Sequence, residues 1–266
     1  MLKNTTLALA ILLPLSIGAT SLAAQTLAAC GPVTAPGNYT VTTNITAPAD
    51  TNCLTISASG LTIDLQGHII SGSGFSSGII GSGQNISIAN GTITGFNQNI
   101  NMEADYLSIS NINALNAGFS GINNAGSNST VTDTQANHNG TYGMYFYGNN
   151  NTIYTTTANY NGQDGIAFLQ QSATNTVNNG TANGNGSNGM YFANGNSTVI
   201  DSRATGNISG DGIFMGGSNN VLTSNVANSN GSHGISVVCP SNLYNNTAQN
   251  NPSGNIVPLG TGCVVH

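Results

Sequence analysis

The sequence has 266 residues, enough for one large domain, and only 4% of them are charged. Lys3 and Arg203 are the only lysine and arginine, and the formal net charge is −6. The chain therefore lacks the clustered cations that bind nucleic acid, and without a bridging calcium ion it is also a poor partner for anionic polysaccharides. Gly, Asn, Ser and Thr replace the charges, while the regular apolar positions indicate an ordered chain.

The first residues are typical of an export signal. Lys3 gives a positive start, an apolar stretch runs from Leu7 to Ile17, and Ala23 or Ala24 offers a small residue for cleavage. This stretch is shorter than the ~20 apolar residues of a membrane-spanning helix. We therefore predict a secretion signal over 1–24, no transmembrane segment in the mature chain, and a secreted or periplasmic/cell-envelope protein.

Four cysteines follow the signal, and an even count in an exported chain suggests disulfides. Their spacing favours the pairs Cys30–Cys53 and Cys239–Cys263. Two alternatives stay open at this point. The segment 27–30, Leu-Ala-Ala-Cys, resembles a bacterial lipoprotein box, and lipidation would use Cys30. Zinc binding would need a Cys-x-x-Cys or His pair, and neither occurs, so we predict no metal site and no cofactor.

Residues 25–52 are rich in Pro, Gly and Thr, and Pro36-Gly37 is a turn signal. We expect this segment to form an N-terminal cap, with a C-terminal cap over 255–266, because the end coil of a repeat array otherwise exposes its core. Between the caps, from 53 to 254, short β-branched segments such as Leu61–Leu65 alternate apolar and polar residues, as half-buried strands do.

A repeat of 21 to 24 residues runs through most of this region. Its alanines are Ala114, Ala136, Ala158, Ala182, Ala204, Ala227 and Ala248. After each repeat glycine comes a pair of apolar residues two apart, such as Met144 and Phe146, and period-two spacing turns both residues to the same side of a strand. A period of this size is the signature of a solenoid, and the Gly, Asn, Thr and Ser content disfavours a helical one.

The segment 61–72, Leu-Thr-Ile-Asp-Leu-Gln-Gly-His-Ile-Ile-Ser-Gly, resembles the first coils of secreted right-handed parallel β-helix proteins of the pectin-lyase-like superfamily. The resemblance extends over 53–254. It implies an all-β, single-stranded right-handed parallel β-helix with about nine coils of ~22 residues. Members include polysaccharide lyases, glycoside hydrolases and adhesins, so the resemblance implies a coil and not a reaction. The aspartate cluster of the lyases and the Arg-x-Lys motif of polygalacturonases are absent.

An asparagine occupies the third position after each of six consecutive repeat alanines, from Asn139 to Asn251. Stacked amides can form a hydrogen-bonded ladder, and Asn tolerates left-handed turn conformations. A polar binding stripe is the functional alternative. We favour the ladder, because buried turn backbone must find hydrogen-bond partners.

The best candidates for catalysis stand just before the repeat glycine, at Asp164, Asp211 and His233. Stacking places the two aspartates two coils, or ~9.6 Å, apart, which is close to the separation of the acid and base in inverting glycosidases. His233 would adjoin Asp211 and orient it. The alternative is that Asp and Asn precede Gly only because they make turns well.

Aromatic residues accompany this row and predict a sugar-binding strip. We assign substrate binding to Tyr142, Tyr145, Asn188, Tyr191 and Phe214, because exposed rings offer flat apolar surfaces. Cross-strand stacking that only stabilises a sheet is the alternative. The sequence thus predicts an exported β-helix protein that binds a polysaccharide or cell-surface glycan. Hydrolysis of a neutral glycan at Asp164, Asp211 and His233 stays open, and the sequence does not decide whether the protein is an enzyme. The competing hypothesis is a non-catalytic structural or adhesive rod, and the oligomeric state stays open.

Overall fold

The computed structural model describes residues 23–169 and 172–266, and neither range contains a helix. Parallel strands stack into a β-solenoid of eleven turns, slightly more than the nine or so expected. The predicted all-β solenoid is therefore confirmed. Apart from residues 23 and 24, the predicted secretion signal lies outside the described residues.

Two long parallel sheets, A and B, form most of the wall. The fourteen strands of sheet A, numbered with those of the other sheets in chain order, are β1 (Gln25–Leu27), β3 (Gly37–Val41), β4 (Ile45–Thr46), β6 (Leu61–Asp64), β7 (Ile69–Ser71), β9 (Ile86–Thr94), β11 (Ser108–Leu115), β13 (Thr130–Thr132), β15 (Thr152–Tyr154), β17 (Thr176–Asn178), β19 (Thr198–Ile200), β21 (Val221–Thr223), β24 (Asn242–Tyr244) and β27 (Val264–Val265).

Sheet B lies opposite, with one strand for each turn. Its strands are β2 (Gly31–Val33), β5 (Leu54–Ile56), β8 (Ser77–Gln84), β10 (Gln98–Asp105), β12 (Ser120–Asn124), β14 (Tyr142–Phe146), β16 (Ile166–Phe168), β18 (Met190–Phe192), β20 (Ile213–Met215), β23 (His233–Val238) and β26 (Gly254–Leu259). A narrow third side, sheet C, consists of β22 (Val226–Asn228), β25 (Thr247–Gln249) and single bridging residues from Asn113 to Arg203.

The core is a column of side chains that repeats from turn to turn. Phe168 on β16 stacks between Phe146 and Phe192, with ring centroids 5.4 and 4.8 Å apart. The repeat alanines from Ala114 to Ala227 are fully buried beside sheet C. Large residues thus fill the wide part of the interior and alanine fills the narrow corner, as the spacing predicted.

The repeat asparagines form the predicted ladder. Asn161 donates to the Asn185 side-chain oxygen through its backbone N–H (2.9 Å) and its amide (3.0 Å), and Asn185 does the same to Asn207 at 2.9 and 3.1 Å. The six ladder asparagines are at most 8% exposed. This burial supports the structural interpretation, because a binding stripe must reach solvent.

Disulfides close both ends of the described chain as predicted, Cys30–Cys53 and Cys239–Cys263. The alternative of lipidation at Cys30 is wrong for this structure, because the Cys30 sulfur is bonded to Cys53. Cleavage before Cys30 would also remove β1, which pairs with β3. Within 23–169 and 172–266 there is no helix with the length and apolarity needed to cross a membrane.

We expect Asn185→Ala to lower the free energy of unfolding by about 2–4 kcal/mol, because it leaves the buried N–H of Asn161 without an acceptor. Urea unfolding followed by circular dichroism measures the change. The matched control is Asn178→Ala on the outer face of sheet A, where we expect less than about 0.5 kcal/mol. Equal effects of the two substitutions would contradict a stabilising role for the ladder.

Candidate functional site

The outer face of sheet B carries an aromatic row along the helix axis. Register pairs Asn123 with Tyr145, Tyr145 with Ala167, Ala167 with Tyr191, and Tyr191 with Phe214. Neighbours in such a row are ~4.8 Å apart. Ala167 is the one small residue between aromatic side chains, so the row has a gap one coil wide.

A cleft of about 320 Å³ lies beside this row and is lined by Tyr147, Leu169, Tyr191 and Ala193, whereas Ala167 itself is fully buried. Tyr147, Leu169 and Ala193 form the next outward row, two residues further along their strands. The volume is at the lower end of the range for small-ligand sites. We call this feature the aromatic cleft.

The two walls of the aromatic cleft differ in their packing. On one side Tyr145 packs at 4.5 Å from Tyr142, 4.8 Å from Tyr147 and 6.1 Å from Phe119, measured between ring centroids. Tyr145 is only 8% exposed. Burial, and then a hydrogen bond with Tyr147, raise the Tyr145 pKa, so this phenol stays neutral. Tyr147 keeps 41% of its surface exposed and is therefore the ring of this group that a ligand can reach.

On the other side Tyr191 and Phe214 are stacked, with centroids 5.1 Å apart and planes 6° from parallel. Both rings are partly exposed on the surface of sheet B. Together they form a flat apolar platform beside the aromatic cleft.

A polar row runs next to the aromatic one, through Asp164, Asn188, Asp211 and His233. Asn188 donates to the Asp164 carboxylate through its backbone N–H (2.8 Å) and its amide (3.0 Å), and its own amide oxygen accepts from the Asp211 backbone N–H at 2.8 Å. The backbone N–H of His233 donates to Asp211 at 2.9 Å. The side chain of Asn188 therefore lies between the two carboxylates, which remain two coils apart.

The two carboxyl groups differ in their electrostatics. Asp164 is 8% exposed, and burial raises its pKa despite the opposing hydrogen bonds from Asn188 and Ser187. Burial would also raise the pKa of Asp211, but hydrogen bonds from Ser236, His233 and Ser232 outweigh it, and that pKa is lowered. The row thus holds one carboxyl group biased towards the acid form and one biased towards the ionised form.

Asp211 is the centre of a small cluster. Its two oxygens accept hydrogen bonds from Ser236 and from the His233 ring nitrogen Nδ1, the latter at 2.8 Å. We assign the Nδ1–H tautomer to His233 because Nδ1 faces the carboxylate, which leaves Nε2 free for a further partner. Asp211 thus orients the imidazole of His233.

The structure brings the predicted residues onto one face but not into one compact site. Tyr142 lies where the two rows meet, because its ring packs 4.5 Å from that of Tyr145 and the nearby charge of Asp164, after burial, raises its pKa. His233 and Asp211 are in direct contact, whereas Tyr145 and Tyr191 are separated by the coil of Ala167. Further contributors that were not predicted as site residues are Phe119, Leu169, Ala193 and Ser236. They can be found only from the register between neighbouring coils, once coils of different length are aligned.

Cations and metal-binding clusters are scarce in the part of the chain that the structure describes. Arg203 lies on sheet C, away from the aromatic cleft. Arg203 forms no salt bridge within the described residues, and no group of three potential metal ligands occurs there. The polar row therefore offers hydrogen-bonding and acid–base chemistry.

Comparison with known proteins agrees with this architecture. A family model described as a right-handed β-helix region matches residues 140–266. No curated relative matches the sequence. The fold of this protein is therefore a right-handed parallel β-helix, as the resemblance predicted.

Three solved structures, each 12% identical to this chain, share the fold. The A-module of a mannuronan C-5 epimerase from Azotobacter vinelandii has a TM-score of 0.57, with 89% of both chains covered. The Dettilon tailspike protein has a TM-score of 0.61, and the match covers 88% of this chain but only 61% of the tailspike chain. An alginate lyase from Paenibacillus sp. has a TM-score of 0.56, with 83% of this chain and 99% of the lyase covered.

The opposite pKa shifts of the two aspartates predict opposite pH dependences of stability. Asp211 has a lowered folded-state pKa, so its ionisation stabilises the fold above the unfolded pKa, and this stabilisation is lost as the pH falls. We expect Asp211→Asn to cost about 1–3 kcal/mol at pH 7 and less below about pH 4. Asp164 has a raised pKa, so Asp164→Asn becomes relatively more stable as the pH rises.

Thermal unfolding of both variants between pH 3 and 7 tests these signs. Asn188 occupies the same row, which shows that an asparagine fits there without distorting the coil. Parallel pH profiles for the two variants would contradict the difference between the two environments.

Proposed function

We propose that this protein binds carbohydrate on the outer face of sheet B, in the aromatic cleft and on the Tyr191–Phe214 platform. The observation that carries the proposal is a cleft of about 320 Å³ next to the stacked rings of Tyr191 and Phe214. Flat apolar rings beside hydrogen-bonding side chains match a sugar, whose ring face presents C–H groups and whose edge carries hydroxyls.

The charges on this face indicate the class of glycan. Every ionised group next to the aromatic cleft is a carboxylate, and Arg203 lies on sheet C. Acidic sugars would be repelled, so the proposed ligand is a glycan without acidic groups. Two of the structural neighbours are named for polysaccharides, mannuronan and alginate, which supports a carbohydrate ligand. Those two polysaccharides are acidic, whereas the ligand proposed here is not.

The proposed place of action is outside the cell or in its envelope. The two disulfides support this proposal, because such bonds persist in oxidising compartments. The N-terminal sequence, with its positive residue and apolar stretch, supports export on independent grounds.

Hydrolysis of a neutral glycan is the second candidate function. It is favoured by the opposite pKa shifts of Asp164 and Asp211, since carboxyl groups with opposed pKa values are suited to the roles of acid and base. In this scheme Asp164 protonates the leaving oxygen, ionised Asp211 is the base that activates water, and His233 positions it. The side chain of Asn188 would have to move to admit that water, since it lies between Asp164 and Asp211.

We expect Tyr191→Ala to weaken binding of neutral oligosaccharides by about 5- to 30-fold, corresponding to about 1–2 kcal/mol of lost ring contact. Isothermal titration calorimetry against a panel of neutral hexasaccharides measures the affinity. Tyr154→Ala removes an exposed tyrosine from sheet A and is the matched control, for which no change is expected. If the native protein binds none of the panel, the carbohydrate proposal is wrong and the adhesive or structural rod takes its place.

If the protein is a hydrolase, Asp164→Asn and Asp211→Asn should each reduce the release of reducing ends by about 100-fold or more, with oligosaccharide binding retained. Asp133→Asn, on an exposed residue between sheets A and C, is the control for the change in charge. Binding without any release by the native protein would exclude hydrolysis of that panel and leave a binding protein.

A further inference from the structure

A second cavity lies on the same face of sheet B, nearer the N-terminal end. It has a volume of about 220 Å³ and is lined by Ile80, Gly81, Ser82, Asn101 and Glu103. These residues belong to β8 and β10, whose eight residues make them the longest strands of sheet B. None of them was a candidate in the sequence, because the cavity lies before the regular repeats begin.

The second cavity and the aromatic cleft are built from the same two outward rows. Ile80 and Asn101 continue the row of Tyr145 and Tyr191 through Asn123. Ser82 and Glu103 are paired in register and precede Tyr147 and Leu169 in the second outward row. From Glu103 on β10 to Ala193 on β18 there are four coil steps, or ~19 Å. One extended oligosaccharide can therefore reach both cavities, whereas a single sugar cannot.

Glu103 is an exposed carboxylate with unused hydrogen-bonding capacity. Among the described residues it forms neither a salt bridge nor a side-chain hydrogen bond, unlike Asp164 and Asp211. The nearby Asn101 accepts a hydrogen bond from Asn123 at 2.9 Å, and this bond fixes its oxygen while leaving its N–H donors available. An ionised carboxylate only accepts hydrogen bonds, so the cavity needs a ligand group that donates them.

We propose that the second cavity is a subsite for an amino group of the glycan, so that the protein's ligand is an extended polysaccharide containing amino sugars with free amines. The inference rests on the proposed carbohydrate binding in the aromatic cleft and adds its chemical specificity. An ammonium group donates three hydrogen bonds and carries the charge opposite to Glu103. An acetylated amine carries no charge, and a uronic acid would meet a like charge.

Three β-1,4-linked hexasaccharides, made of glucosamine, N-acetylglucosamine or glucose, show whether the second cavity prefers a free amine. Calorimetric titration at about pH 5.5 keeps amines protonated and carboxyl groups largely ionised. We expect the glucosamine hexamer to bind about fivefold or more tightly than the glucose hexamer, as for a partly exposed ion pair. Glu103→Gln should abolish this preference, so that the variant binds the glucosamine and glucose hexamers with equal affinity.

Asp133→Asn is the control, because it removes the same charge from another face of the solenoid. A similar loss of glucosamine binding in Asp133→Asn and Glu103→Gln would indicate a general effect of net charge and would overturn the subsite. Equal affinity of the native protein for all three hexamers would also overturn it, while the aromatic cleft would stand if Tyr191→Ala weakened all three. A further hexamer made of acidic sugars is titrated with and without Ca²⁺. Binding of this hexamer only with added Ca²⁺ would contradict the proposed specificity. Failure of every hexamer would reject the proposed function itself.

Discussion

The hydrogen bond from the backbone N–H of one coil to a side-chain amide oxygen of the next is the constraint on which this solenoid depends. Each turn between strands carries backbone N–H groups into the interior, where water cannot reach them. The asparagine of the adjacent coil supplies the missing acceptor, as between Asn161 and Asn185. A second ladder at the corner between sheets B and A uses both Asn and Ser, for example Asn151 to Asn175 to Ser197. With the corners fixed in this way, many strands of the regular coils need only three residues.

Fixed corners leave the outward positions of the strands free to vary, and the candidate site uses this freedom. A row of stacked residues is uniform unless one coil differs, and the difference at Ala167 is the absence of a ring. The coil before it contributes Tyr145 and Tyr147, and the coil after it contributes Tyr191. Ala167 itself is fully buried, and the cleft lies in the next outward row, where Tyr147, Leu169 and Ala193 line it together with Tyr191.

The sequence predicted the features that recur at a fixed interval. The buried alanines, the ladder asparagines and the inward apolar pairs could be predicted because every coil needs them at the same place. The disulfides could be predicted from the even number of cysteines and their positions in the sequence. The second ladder was missed because Ser and Asn perform the same task there, which hides the period. The contact of Ser236 with Asp211 and the cavity at Glu103 depend on the register between coils of unequal length. Side-chain burial was also beyond the sequence, and Tyr145, expected on the surface, is covered by its own aromatic neighbours.

The last rung of the asparagine ladder is different from the others. The amide and backbone N–H of Asn251 donate to the side-chain oxygen of Asn255, four residues ahead, at 3.1 and 3.4 Å. Asn255 thus takes the part that the asparagine of the next coil takes elsewhere in the ladder. Because the ladder ends within this segment, its closure does not depend on how many coils precede it. Duplication or loss of a 22-residue unit upstream of Asn251 would alter the length of the protein in steps of one coil and leave both ends intact, a route by which genes of this kind can set the reach of a binding surface.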